Sequence, residues 1–297
     1  RRRCTELVCL IGIFIPALLT AQVSQQTSHA SSASDALLWR ISGPDLKQPS
    51  YLFGTMHALC KEDFVWKPKM DSTLQTCNLL VMELDISDPA MWTDMMQYSR
   101  MPDSIQWADY FRDEAEFNQF KDSIEAHYNI TFSLFLPFKP FMLISALTLQ
   151  DFSCHETVSY ENKLQEFATS HHLPVKGLEH VSQQIGFFDA FSKQDMHAML
   201  LEALQPAGKT DSLQKAMIQC YRKEDLIGLY QLMHEDSSFN SIETRLLTSR
   251  NEDWMTKLPN LLAMQSCFIA VGAGHLPGDK GLIALLRKAG YQVDPLP

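Results

Sequence analysis

The chain has 297 residues, 45% of them hydrophobic, with 25 Lys and Arg against 35 Asp and Glu, a formal net charge of −10. That length can bury a large core, in one big domain or two small ones. The acidic balance, with no basic patch to meet phosphate, excludes a nucleic-acid binder.

Arg1 to Arg3 precede an apolar segment from Leu7 to Leu19, followed by Thr20, Ala21 and Gln22. A basic end, an apolar stretch too short for a comfortable span and a small residue at the cleavage point together read as a signal peptide over 1–21. The expectation is an exported protein, periplasmic or extracellular and open to surface association, with no stable membrane span after cleavage. A retained anchor is the alternative. Gln22 to Ser34, rich in Ser and Gln, reads as a disordered lead, which leaves 35–297 as the domain.

Leu37 to Ile41 and Tyr51 to Phe53 flank the turn cluster Ser42, Gly43, Pro44, Asp45 and predict a β-hairpin. Gly54, Thr55, Met56 and His57 follow, then a helix over Lys69 to Thr76. Asn78 to Leu84, NLLVMEL, predicts a buried strand with Glu83 near its carboxyl end. A carboxylate in so apolar a run is costly unless it is paired or bound to a cation, so Glu83 is a site candidate. Asp88 to Gln150 reads as helical, with Phe111, Phe117, Phe120 and Ile124 roughly on one face. Phe132 to Phe141 is aromatic and interrupted by Pro137 and Pro140, a loop or short turn serving core or lid packing, with a groove for an apolar substrate as the alternative.

Ser159 to Ala168 predicts a helix with Glu161 in its first turn, and Leu173 to Leu178 a strand with Glu179 at its end. His171 and His172 belong to the exposed turn between them. A helix beginning at Val181 bears Gln184. Lys193 to Glu235 reads as long amphipathic helix broken at Gln205 to Lys209, and Ser241 to Met264 as another. This helical insert, carrying Arg250 and Asn251 beside Glu252 and Asp253, is expected to cover the sheet. By charge pattern alone such a run is a solvated face.

The last segment is the most legible. Cys267 to Val271 is a fully apolar strand; Gly272 and Gly274 relax the turn; Leu282, Leu285, Leu286 and Ala289 keep helical spacing; Gly290 ends that helix, and Tyr291 to Val293 return to the sheet. Pro277 stands where a dinucleotide fingerprint needs a third glycine, so no nucleotide is implied. His275 lies just past the carboxyl end of a buried strand, where ligand crevices form in α/β sheets. Gly-x-x-His thus occurs at Gly54 to His57 and again at Gly272 to His275, each after a strand. The pair predicts two imidazoles brought together on one sheet edge around a shared ion. The strands at Tyr51, Leu79, Val175 and Phe268 are expected near the centre of that sheet.

Five cysteines remain after the leader: Cys60, Cys77, Cys154, Cys220 and Cys267. The odd number leaves at least one thiol free or paired between chains. No Cys-x-x-Cys supports a zinc knuckle. Cys220 and Cys267 sit in apolar runs and read as core, whereas Cys60 and Cys154 lie in loop contexts and are the candidates for a disulfide.

YLFGTMH at 51–57, VMELD at 81–85, Gly-Leu-Glu at 177–179 with Gln184, Arg250 with Asn251, and GAGHLPGDKGLIALLRKAGYQVDPL at 272–296 together resemble the TraB/GumN family, which includes the TIKI ectoproteases. The resemblance covers nearly the whole mature chain. It implies an α+β fold, a mixed central sheet covered by helices with a large helical insert, akin to erythromycin esterase-like and ChaN-like scaffolds. It also implies an exported metal-dependent peptidase acting on a peptide or protein substrate, with manganese or cobalt ahead of zinc. Carried over by residue, His57 and His275 match the motif histidines, Glu83 the strand acid, Glu179 the Gly-Leu-Glu acid, and Arg250 with Asn251 the polar pair. Position 180 is His where the family pattern leads one to expect Thr; this extra imidazole either enters the site or faces solvent.

The expected mechanism places one divalent ion on His57, His275 and Glu83 with an open position for water, Glu179 as general base, and Arg250 or Asn251 on the oxyanion. The rival from another class is a non-catalytic protein that holds haem or a metal through the same histidines.

Overall fold

The computed structural model describes residues 36–296 except 151, 153, 155, 205–207 and 236–242. The expected signal peptide at 1–21 and lead at 22–34 lie outside the described residues, as do most of the break expected at Gln205 to Lys209 and the start of the helix expected at Ser241.

Six strands form one mixed sheet: β1 Leu38–Ser42, β2 Ser50–Thr55, β4 Leu79–Met82, β6 Val175–Gly177, β7 Cys267–Gly272 and β8 Gln292–Pro295, in the order β6-β4-β7-β2-β1-β8. β6, β4, β7 and β2 run parallel. β1 is antiparallel to β2, closing the expected hairpin, and β8 pairs antiparallel with β1. The centre is apolar for the reason legible in its residues: every residue of β4 and β7 is buried, as continuous apolar runs require when both faces are covered. The strand at Val175 was expected near the centre but stands at the edge. Its middle residue, Lys176, is exposed, and a charged side chain there suits an open strand edge.

The register places the site. Thr55 stands opposite Gly272, Met82 opposite Ala270, and Gly177 opposite Met82, so four parallel strands end together on one edge.

The helices are α1 Pro68–Leu74, α2 Ala90–Tyr98, α3 Glu114–Tyr128, α4 Pro140–Gln150, α5 Tyr160–His171, α6 Val181–Asp189, α7 Lys193–Glu202, α8 Gly208–Arg222, α9 Leu226–His234, α10 Ser249–Met264 and α11 Leu282–Lys288. A π-helical turn, Thr244–Thr248, leads into α10. The main core joins both faces of the sheet to α1, α5, α8, α9, α10 and α11. A second core lies apart from the sheet, among helices and the loops between them: Trp107, Phe111, Phe120, Ile124 and Phe132 pack with Leu143, Ile144 and Leu147 of α4 and Met196, Met199 and Leu200 of α7. Phe132 to Phe141 therefore serves packing at its start, where Phe132 is fully buried, while Leu134 and Leu136 stay exposed.

A two-stranded sheet pairs β3, Leu59–Cys60, with β5, Thr157–Val158, and Cys60 is bonded to Cys154. The expected disulfide is present. Cys267 is core as read, but Cys220 is only half-buried at the core's margin.

Candidate active site at the carboxyl edge of the sheet

Each of the four parallel strands is followed within three residues by one of the candidates. Across the edge they come in the order Glu179 after β6, Glu83 after β4, His275 after β7 and His57 after β2. Backbone bonds carry the ladder past the strand ends: Leu178 donates to the Met82 carbonyl at 2.8 Å and Glu179 to that of Glu83 at 2.9 Å. Gly177 must be glycine here, because a Cβ would stand 2.8 Å from the Asp85 nitrogen.

Two imidazoles face one carboxylate. His57 donates from Nδ1 to Glu161 Oε1 at 2.9 Å, and its Nε2 lies 4.0 Å from Glu83 Oε1. His275 Nδ1 meets Asn251 Oδ1 at 2.8 Å, and its Nε2 lies 3.8 Å from the same Glu83 oxygen. The Asn251 amide is oriented by its other end, since Nδ2 donates to the carbonyls of His275 and Lys280. Oδ1 is therefore an acceptor, and His275 carries its proton on Nδ1. Both rings thus present a lone-pair Nε2 toward the Glu83 carboxylate whenever they are neutral, with the far nitrogen held by an oxygen. This is how a protein orients histidines that ligate a metal.

Glu83 is itself tightly held. Oε1 accepts from the Gly272 N–H at 2.8 Å, and Oε2 from Arg250 Nη2 and from Gln184 Nε2. Arg250 also clamps Glu179 with Nε and Nη2, both at 2.9 Å, donates to the Leu246 carbonyl at 3.2 Å, and places Nη1 3.1 Å from His275 Nε2. Trp254 Nε1 adds a bond to Glu179 Oε1 at 2.9 Å. Arg250, Asn251 and Trp254 share one face of α10 and are buried, while Glu252 and Asp253 between them are exposed, so the charged run at 250–253 is a solvated face in only half of its residues.

Charge and burial set the ionisation. Burial would push the His57 imidazole down, but Glu161 on Nδ1, with Glu83 beyond Nε2, outweighs it and raises it to about 9. Burial and then the Arg250 guanidinium push His275 down to about 3, keeping it neutral. Burial penalises the Glu83 carboxylate too, yet Arg250 holds it well below its ordinary range. Glu161 is also lowered, by His57 and by hydrogen bonds from His57, Thr55 and Ser159, against its own burial.

The residues fit a divalent ion in donor type and orientation. A Cβ on Gly272 would lie 3.2 Å from His57 Nε2, 3.4 Å from Glu83 Oε1 and 3.7 Å from His275 Cδ2, so glycine leaves an atom-sized gap among the three candidate ligands. The three do not close to mutual ligand distance. Among the described residues the group of His, Cys, Asp or Glu that does is Cys60, Glu62 and Cys154, whose two sulfurs are already bonded to each other. Arg250 Nη1 would have to yield His275 Nε2 before that nitrogen could bind an ion.

The site also contains residues the sequence reading left out. Glu161 was visible only as a first-turn helix acid; its partners Thr55 and His57 lie about a hundred positions away, and nothing local marks them. Gln184, noted only as part of a motif, reaches Glu83, and its Oε1 is buried without a hydrogen-bond partner among the described residues. His180 faces solvent at the start of α6, so the extra imidazole stays outside the site.

A model of the TraB/PrgY/gumN family matches residues 37–295. The chain belongs to that family. It is also similar to a metalloprotease, TIKI2 of Danio rerio, at 23% identity over 94% of this chain, and it spans 64% of that relative's length. No solved structure matches it. For this member of the TraB/PrgY/gumN family, the mixed sheet and covering helices agree with the α+β reading, and among its described residues no helix is long and apolar enough to cross a membrane.

Proposed function

We propose that this chain is an exported metal-dependent hydrolase, a peptidase by class, in which His57, His275 and Glu83 hold one divalent ion, manganese or cobalt ahead of zinc. The observation that carries the reading is the shared orientation of the two imidazoles, each with Nδ1 on an oxygen and Nε2 turned to Glu83 Oε1. The similarity to a metalloprotease supports it. Kinship of the scaffold with erythromycin esterase-like and ChaN-like folds belongs to the same proposal.

Held by His57, His275 and Glu83, a divalent ion would supply a water of lowered pKa and a polarised carbonyl. The chain's own residues do the rest. Glu161 and Asn251 fix the two rings. Gln184 Oε1, a buried acceptor with no partner among the described residues, would accept a hydrogen bond from the attacking water or from the substrate amide and so orient it. The roles first read for Glu179, Arg250 and Asn251 need free atoms, and those atoms are engaged. Both Glu179 oxygens accept from Arg250, one of them also from Trp254; all three Arg250 nitrogens already donate; and the Asn251 amide is fully used. We therefore give Glu179 and Arg250 the task of holding Glu83 in place, and Asn251 that of orienting His275, instead of general base and oxyanion donors. A haem-binding role would need an imidazole nitrogen open to a flat macrocycle, and His275 is buried with little room around it.

Metal analysis of the purified protein combined with a peptide-library cleavage assay tests the reading. Cleavage abolished by chelator and restored by manganese is the expected result. A metal-free preparation that cleaves equally well, or a Soret band with no cleavage, would sink it.

A further inference from the structure

The His57 segment and the Glu161 segment are far apart in the chain but run side by side. β3 begins two residues after His57, and β5 ends three residues before Glu161. They pair in register, Leu59 with Val158 and Cys60 with Thr157. Beyond that short ladder, Lys61 N–H donates to the Glu156 carbonyl at 3.1 Å, and the two side chains form an exposed ion pair at 2.9 Å. At the site end, Thr55 and Ser159, one from each segment, both donate to the Glu161 carboxylate, at 2.6 and 2.7 Å. The Glu161 to His57 contact is thus the inner end of a small two-chain ribbon.

Two residues per strand are too few to hold such a ribbon by ladder bonds, since isolated two-stranded pairs are marginal even when longer. What ties its outer end is the Cys60–Cys154 disulfide, between residues 94 apart in sequence. Around it sits a small apolar cluster of Ala58, Cys60 and Phe152, with Leu149 and Cys154 against it, separate from the main core. Of the ribbon itself, Leu59 and, beside Glu161, Tyr160 are buried members of that core, with Val158 packed against it.

We infer that the Cys60–Cys154 bridge, acting through the β3–β5 ribbon, is a positioning element for the site: it holds Glu161 on His57 Nδ1 and so aims His57 Nε2 at Glu83. The inference rests on the metal reading for its consequence, but the contact it concerns exists without an ion. Reduction by a dithiol would convert the bridge to two thiols, taking two electrons and two protons, while the dithiol closes to its own disulfide. The ribbon is then left on Leu59 and Tyr160, the Lys61 to Glu156 pair and a few backbone bonds. The site would be best formed in an oxidising environment and would loosen in a reducing one.

The test compares wild type, wild type reduced by a dithiol, a Cys60→Ser/Cys154→Ser double variant and Glu161→Gln. Two readouts are used: the nitrogen and proton NMR signals of the His57 ring in metal-free protein, and manganese affinity by titration calorimetry. Loss of an outer-shell partner of a metal-binding histidine typically weakens affinity by about 10–100-fold. A drop in that range is expected for the bridgeless, reduced and Glu161→Gln proteins alike. In all three the His57 Nδ1 proton should lose its carboxylate-bonded shift, and only the bridgeless and reduced forms should show faster amide exchange at 57–62 and 156–161. If wild type takes up no manganese, the metal reading fails, and the ring signals still decide the positioning role. An unchanged His57 ring signal without the bridge would overturn the inference. So would a bridgeless protein that circular dichroism shows to be unfolded, since the inference requires the rest of the fold to stand.

Discussion

The sheet edge and the helical core around Phe132 are both well buried, but they spend that burial on opposite kinds of residue. Around Phe132 the contacts are rings and aliphatic chains: Trp107 at 4.9 Å, Phe117 at 5.8 Å and Phe120 at 6.1 Å between centroids. At the sheet edge, Glu83, Glu179, Arg250 and His275 are all buried within one network. Apolar packing is locally forgiving, whereas a buried charge is tolerated only with its partners in place. A protein gains little stability from gathering such charges, which is what marks the edge, and not the helical core, as the candidate site.

The sharpest way to break this contrast is Arg250→Met, which leaves Glu83 and Glu179 buried without their cation. Removal of one partner from a buried ion pair typically costs about 3–5 kcal/mol, and chemical denaturation should show a loss of that size. Adding Glu179→Gln to the same chain should recover part of it, because the charge left unpaired is then gone. A loss below about 1 kcal/mol would show that the edge is far wetter than the structure has it.

Next in size is the effect on ion binding. His57→Ala and His275→Ala should each lower manganese occupancy about as much as the double variant, since ligands of one ion act as a unit. Independent loss of thermal stability with unchanged metal content would make them ordinary core histidines.

The third effect is a pH dependence confined to the edge. His275, held down to about 3 against an ordinary 6.5, stays neutral in the fold while the unfolded chain takes up the proton, so stability falls as pH drops below about 6.5. Glu83 and Glu161, both lowered, add to that loss as pH falls below their ordinary range. His57 acts in the other direction. Raised to about 9, its contribution is complete below pH 6.5 and is lost as pH rises through 9. Thermal melts from pH 3 to 10 should give a maximum near neutrality, and His275→Gln should flatten the acid side and His57→Gln the alkaline side. Identical profiles for all three proteins would contradict this assignment.

On the helical side, Leu143→Met should cost less than about 1.5 kcal/mol by denaturation and leave manganese affinity unchanged, as volume-conserving apolar swaps are the mildest core changes. Smallest of all, Arg112→Ala removes an exposed pair with Glu116 and should leave the melting midpoint unmoved within error. A measurable fall in ion affinity from either variant would join the two regions that the comparison keeps apart.

Strand-end placement of His57, Glu83, Glu179 and His275 was legible because it depends on short-range pattern: an apolar run, then a glycine or an acid. The helical nature of 88–150 was legible for the same reason, while Phe111, read on one helical face with Phe117 and Phe120, lies ahead of α3 and joins the cluster from a loop. The edge position of Val175–Gly177 was missed although Lys176 marked it.

What the sequence by itself determined is local: which stretches are strands, where each stops, and which polar residue stands at each stop. What only the tertiary structure decided is who meets whom. That covers the order across the edge; and the clamp of Arg250 on two carboxylates that follow different strands, the Asn251 hold on His275 and the Glu161 hold on His57 join residues 24 to 167 positions apart. Periodicity reports the face of an element but not the neighbour that face will find. A buried ionisable group is defined by its depth and that neighbour: one imidazole, buried but held by Glu161, is pushed up to about 9, and the other is pushed down to about 3 by burial and then by Arg250.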